Sequence, residues 1–133
     1  EISCSLVGSE MCIRDRYHLD NLVAIIDRNR LQISGCTEDV MALESITQRW
    51  TALGWDVKDM NGDDVEDIVK VMSSIDFSNK KPHLIVAHTT KGKGISYMEN
   101  VAKWHHGVPS EEQYKEGIKE INERIAKLEE EIL

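Results

Sequence analysis

Two short apolar runs rich in branched residues, LVAIID (Leu22–Asp27) and HLIVAH (His83–His88), constrain this chain more than any other feature. Each is too short for a buried helix, and unbroken apolar character is what a strand needs when both faces of its sheet are covered. Between them the pattern changes. Met41, Leu43, Ile46, Trp50 and Leu53 recur at mostly helical intervals, which predicts a helix of about four turns that stops at Gly54. Trp55–Lys58 reads as a short second strand. Asn61-Gly62 signals a turn, Asp63 and Glu66 have capping-box spacing, and Val65, Ile68, Val69, Met72 and Ile75 mark one face of the next helix. Lys80-Lys81-Pro82 then breaks the chain before the third strand. The order β-α-β-α-β predicts an α/β fold, a parallel sheet with flanking helices and right-handed crossovers.

Beyond the third strand, residues 89–109 carry too many glycines and polar groups for a core element, and a loop of that length is a functional candidate. Ser110 and Gln113 are spaced as a capping box and open a last helix, 110–133. Tyr114, Ile118, Ile121, Ile125, Leu128 and Ile132 form a short heptad seam along it, with Glu111/Lys115, Glu120/Arg124 and Glu123/Lys127 in the favourable order on its exposed side. The seam is expected to pack against its own domain or a partner subunit, with a coiled-coil contact as the alternative. From Ser110 onward there are eight acidic and four basic residues, half of the formal net charge of -8, and this acidity reads as a solvated face.

With 133 residues, 41% hydrophobic and 30% charged, the composition is that of one soluble globular domain. The net negative charge opposes a nucleic-acid backbone as partner, so a phosphate site has to be local. No apolar run approaches the roughly 20 residues of a membrane span, and no secretory leader opens the chain; the expected compartment is the cytoplasm. Cys4, Cys12 and Cys36 lack metal-site spacing and read as free thiols. Residues 1–16, EISCSLVGSEMCIRDR, show neither helical nor strand periodicity. They resemble translated sequencing-adapter read-through, so native sequence is expected to begin near Tyr17, with 17–133 as the folded part.

Ligands in open parallel sheets sit beyond the carboxyl ends of the strands, so the loops that start at Arg28 and Thr89 should face one crevice. The first, DRNRLQISG, offers the Asn29 amide oxygen and freed backbone carbonyls, which suit a hard cation such as magnesium; an asparagine there is also a common turn former. The second, TTKGKG, combines hydroxyls, Lys91, Lys93 and two glycines whose backbone N–H groups could approach an anion; a flexible basic turn is the alternative. Trp104-His105-His106-Gly107 adds two imidazoles able to donate to an anion or shuttle a proton, or to be a plain surface pair. Adjacent histidines are expected to point apart, leaving at most one in a site.

Taken together, LDNLVAIIDRNRLQISG, the helix ending in ALGW, the strand followed by TTKGKG, and WHHGVP resemble the thiamine diphosphate-binding region of transketolases over roughly residues 17–121. The likeness is to the separate N-terminal subunit of transketolases encoded in two parts. It implies a partial thiamine diphosphate-binding fold with thiamine diphosphate and magnesium as cofactors. By the same match Asn29 and the backbone carbonyl of Leu31 are metal ligands, Lys91 faces the cofactor, and His105 or His106 contacts diphosphate or sugar, both being carried as catalytic candidates. The family's cofactor motif begins with Gly-Asp-Gly about one βα unit upstream, roughly 30 residues or more, and counting back from Asn29 runs off the chain. The implied activity is transfer of a two-carbon ketol unit between sugar phosphates, the cofactor serving as electron sink. It needs a C-terminal transketolase subunit or domain in a homo- or hetero-oligomer, with neither nucleic acid nor membrane as partner. The rival readings are a deoxyxylulose phosphate synthase and a non-catalytic docking subunit. These 133 residues alone are expected to bind the cofactor poorly and to be inactive.

Overall fold

The structure, a computed structural model, describes residues 13–14, 16–43 and 45–132, with Ile132 given by its backbone only. The expectations for residues 1–12, including Cys4 and Cys12, and for Asp15 lie outside the described residues, as does the Ile132 side chain of the heptad seam.

Two compact units make up the chain: among the described residues, those of Glu1–Arg28 and Glu44–His88 make the first, and those of Asn29–Leu43 and Thr89–Leu133 the second. The first is built on three parallel strands, β1 (Val23–Arg28), β4 (Asp56–Asn61) and β5 (His83–His88), in the order β1-β5-β4. Val23 lies opposite His83, and so does Asp56, so the central strand is in register with both edges. Its residues separate onto two apolar faces. Leu84 and Val86 meet Trp55 on one, packed by Leu22, Ala24, Ile26, Ile46, Trp50 and Val57; Ile85 and Ala87 meet Met60 on the other, with Val23, Ile68, Val71 and Ile75. The α/β expectation therefore holds, with helices supplying side chains to both faces.

Those helices are α2 (Ile46–Ala52) and α3 (Val65–Ser73), and α2 is shorter than the apolar spacing suggested. Ser45 caps it, its Oγ accepting from the Gln48 N–H at 3.3 Å, so Met41 and Leu43 fall outside. Thr37–Val40 forms a separate turn of helix, α1, that ends in extended backbone at Met41. The stop was legible. Gly54 has φ 84°, its N–H donates to Thr51 C=O at 2.9 Å, and the Trp55 N–H reaches back to Trp50 C=O at 3.1 Å. This is a Schellman closure, with the Trp50 and Trp55 rings meeting edge to face at 4.9 Å as its apolar contact. An added Cβ at Gly54 would touch nothing, so Gly54→Ala carries only the conformational term and should lower stability by about 1–2 kcal/mol in urea unfolding.

At α3 the cap is Asp64, whose Oδ1 accepts from Glu66 N–H at 2.9 Å; Asp63 instead gives its own N–H to Asn61 Oδ1 at 3.1 Å. The asparagine turn takes up Asp63 and moves the helix start by one residue. No helix among the described residues is long and apolar enough to cross a membrane.

In the second unit, a hairpin of β2 (Leu31–Gln32) and β3 (Gly35–Cys36) precedes α1, and α4 (Glu111–Ile132) closes the chain. The capping box at α4 forms as expected: Ser110 N–H donates to Gln113 Oε1 at 3.0 Å, and Gln113 N–H to Ser110 Oγ at 3.3 Å. Lys115 pairs with Glu111 at 2.6 Å. The other two expected pairs give way, because Glu120 and Arg124 bind the preceding loop and Glu123 meets Lys119 at 3.8 Å. The heptad seam stays open: Tyr114, Ile118, Ile121, Ile125 and Leu128 are all exposed. The helix packs on its own unit by the neighbouring face, where Gly117 is buried under Ile95 and Tyr97.

Candidate functional site

The strand ends place the candidate loops. Arg28 stands opposite His88 in the β1/β5 register, so the segments that begin at Asn29 and Thr89 leave from neighbouring strand ends. Both segments fold into the second unit, and with them all five candidate residues, Asn29, Leu31, Lys91, His105 and His106.

The polar stretch after β1 is a hairpin. Asn29 Oδ1 accepts from the Leu31 N–H at 3.0 Å, Arg30 takes φ 61°, Leu31 pairs with Cys36, and Thr37 N–H donates to Arg30 C=O at 2.9 Å. Asn29 is thus the turn former that its position suggested. An amide oxygen has two lone pairs, so this bond leaves one acceptor direction on Oδ1. Cys36 is a half-buried free thiol in β3.

The Thr89 segment is more tightly built than a flexible basic turn. Lys91 and Asn100 close its base, the Asn100 N–H donating to Lys91 C=O at 2.9 Å. Inside, Lys93 N–H donates to Thr90 C=O at 3.1 Å, Ile95 N–H to Gly92 C=O at 3.4 Å, and Gly94 N–H to Glu99 Oε1 at 3.0 Å. Of the two glycines, Gly94 thus gives its N–H to the coil itself, as do Lys93 and Ile95. Gly92, at φ 74°, serves the coil: a Cβ there would stand 2.5 Å from the Met98 carbonyl oxygen. At Gly94 the close neighbour is an Arg124 guanidinium nitrogen, 3.0 Å from a built Cβ. The Lys91 side chain is half-buried.

The Trp-His-His-Gly stretch forms a 3-10 turn, Ala102–His105, with His106 as its cap. Trp104 Nε1 donates to Tyr97 C=O at 2.9 Å, and its ring lies over Gly107, where a Cβ would meet Trp104 Cε3 at 2.6 Å. That contact accounts for the glycine. The two imidazoles do not point apart: their centroids are 4.4 Å apart at 82°, an edge-to-face pair. The cause is the turn backbone, with His106 at φ -128°, ψ 7°, which breaks the alternation an extended strand would impose. Both rings are exposed.

Within this unit β2 lies against the Ala102–His105 turn, and Trp104 ties that turn to the coil that starts at Lys91. The hairpin, the histidine turn and the lysine coil are thereby joined. Among the described residues no three His, Cys, Asp or Glu side chains form a metal cluster; the Asn29 amide and the Leu31 carbonyl are hard oxygen donors on one turn. Sequence reasoning missed the anchors: Ser96 and Tyr97 lie in no motif, Glu120 and Arg124 read as an exposed ion pair, and the burial of Gly117 in a largely solvated helix marks where they meet. Glu120 accepts from both the hydroxyl and the backbone N–H of Ser96, which hold its carboxyl below the usual glutamate range and keep it ionised at neutral pH.

The family model described as "Transketolase, thiamine diphosphate binding domain" matches residues 5–126. A subunit of the apulose-4-phosphate transketolase of Phocaeicola vulgatus is 68% identical over 117 residues, which are 88% of this chain and 42% of that protein. The 6-deoxy-6-sulfo-D-fructose transketolase subunit SqwG of a Clostridium species is 33% identical over 108 residues, 81% of this chain and 39% of that one. Among solved structures, the transketolase of Campylobacter jejuni superposes with a TM-score of 0.71 at 32% identity, covering 84% of this chain and 17% of that one. The chain thus spans about two fifths of the subunit-type relatives it matches.

Proposed function

The chain belongs to the transketolase family, as its thiamine diphosphate-binding domain, and from that premise we propose that it is part of an N-terminal subunit of a ketol-transferring enzyme. The observation that carries the reading is the gathering of the Asn29–Leu31 hairpin, the Lys91 coil and the His105-His106 turn within one compact unit. In the bound state, Asn29 Oδ1 and the Leu31 carbonyl would hold the magnesium on the diphosphate. They are hard oxygen donors on one turn, which is the chemistry that cation takes, and its remaining ligands would come from the diphosphate, water and residues outside this chain. The Lys91 ammonium offsets diphosphate charge, and His105, in the turn that abuts β2, donates to diphosphate or sugar, with His106 as its edge-to-face neighbour. Bound thiamine diphosphate supplies the electron sink for cleaving the bond beside the donor's carbonyl.

The donor is a ketose phosphate and the acceptor an aldose phosphate, and the complementary half of the enzyme is a C-terminal transketolase subunit, in the cytoplasm. The name of the Phocaeicola relative makes apulose 4-phosphate the first donor to try. The full-length parent, mixed with its partner subunit, should move a two-carbon unit between sugar phosphates, require both subunits, and release no carbon dioxide from pyruvate. Decarboxylation of pyruvate would favour the deoxyxylulose phosphate synthase reading, and association of the two subunits without turnover would favour a docking role.

A further inference from the structure

The coil between Lys91 and Asn100 is closed at its base by its own backbone, but its tip is held by α4. Glu120 accepts from Ser96 N–H at 2.8 Å and from the Ser96 hydroxyl; Arg124 Nη1 donates to Gly94 C=O at 3.3 Å; Tyr97 OH donates to Gln113 C=O at 2.7 Å. Gly117 lets the tip approach, since a Cβ there would sit 3.1 Å from the Tyr97 hydroxyl. The same tip holds the histidine turn, through Trp104 Nε1 on Tyr97 C=O. Residues 94–97 are therefore a junction between the helix, the lysine coil and the histidine turn.

A hollow of about 300 Å³ lies along this junction, walled by Lys93, Gly94, Ser96, Glu99, Glu120 and Arg124. Its polar groups bind one another, Lys93 meeting Glu99 at 3.9 Å and Arg124 donating to the Gly94 carbonyl. The groups on it set the shape of what lies either side.

We propose that Glu120 is a positioning residue for the cofactor site: its two bonds to Ser96 hold the junction from which Lys91 and His105 are presented, without contact of its own to the cofactor. Tyr97 and Arg124 assist, but Glu120 is the side chain that grips both a backbone and a hydroxyl donor of the tip. The inference rests on the reading of Lys91 and His105 as cofactor contacts.

The test is isothermal calorimetry of thiamine diphosphate, at saturating magnesium, on the full-length parent with its partner subunit. Losing two bonds to an ionised carboxylate should make Glu120→Ala bind about five- to tenfold more weakly, while Glu120→Gln, still able to accept from Ser96, stays within about threefold of wild type. Glu120 acts through the groups it positions. Combined with Lys91→Ala, Glu120→Ala should therefore weaken binding by less than the product of the two single effects. Should Glu120→Ala fail to fold, Ser96→Ala takes its place, with a loss of about two- to threefold. A folded Glu120→Ala protein, or in its place Ser96→Ala, with wild-type affinity overturns the positioning role, and so does full multiplicativity with Lys91→Ala. If Lys91→Ala and His105→Ala themselves leave affinity unchanged, it is the underlying site reading that fails.

Discussion

Asn29→Ala in the full-length parent is expected to weaken magnesium-dependent binding of thiamine diphosphate by at least on the order of a hundredfold, and to lower ketol transfer with it. Two effects combine. The variant removes an oxygen proposed to sit on the metal, and it also removes the acceptor of the Leu31 N–H at 3.0 Å, which loosens the turn that presents the Leu31 carbonyl. The second effect separates this position from an ordinary turn residue, because one side chain governs both protein donors. Asn29→Asp keeps an acceptor for Leu31 and an oxygen for the cation, and should retain most of the binding. Stability should change little in either variant, the turn bond contributing about 1 kcal/mol. Calorimetry with and without magnesium checks the pair; equal affinity of wild type and Asn29→Ala would remove Asn29 from the site.

Leu84→Ala should lower the stability of the first unit by about 2–5 kcal/mol, read as a drop in urea midpoint. Leu84 has no accessible surface and stands in the middle strand, packed with Trp55 and Val86 on a face fed by β1, β4 and α2. Most of that face is carried by regular elements on three sides, so the cavity has little freedom to collapse. Ile25→Ala is the matched control: Ile25 lies on an edge strand with 56% of its surface exposed, and its loss should shift the midpoint far less. Equal losses at the two positions would contradict the assignment of β5 as the buried centre of the sheet.

How much of this was legible follows from where each signal is stored. His83–His88 is the observed strand to the residue, because a strand covered on both faces writes its burial as an unbroken apolar run. Gly54 and the Ser110/Gln113 box were legible because a left-handed backbone and a helix start call for specific residue types. The β2/β3 hairpin was not, since two residues per strand are fewer than any period can register. Met41 and Leu43 kept helical spacing with Trp50 yet lie outside α2, because spacing says nothing of where Ser45 interrupts. Asn29, Lys91 and the two histidines stood out by loop chemistry, their roles and the Leu31 carbonyl came from the resemblance of a set of motifs, and all of them fall in one unit. The work of Gly92, Gly94 and Gly107 could not be read from the chain. It depends on the approach of the Met98 carbonyl, the Arg124 guanidinium and the Trp104 ring, and only folding brings these close.

The most direct test of the account is calorimetric titration of thiamine diphosphate into the full-length parent with its partner subunit, before and after chelation of magnesium. Saturable binding that chelation abolishes, that Lys91→Ala weakens at least about tenfold and Asn29→Ala at least on the order of a hundredfold, is the result expected. Binding indifferent to magnesium and to both substitutions would contradict it.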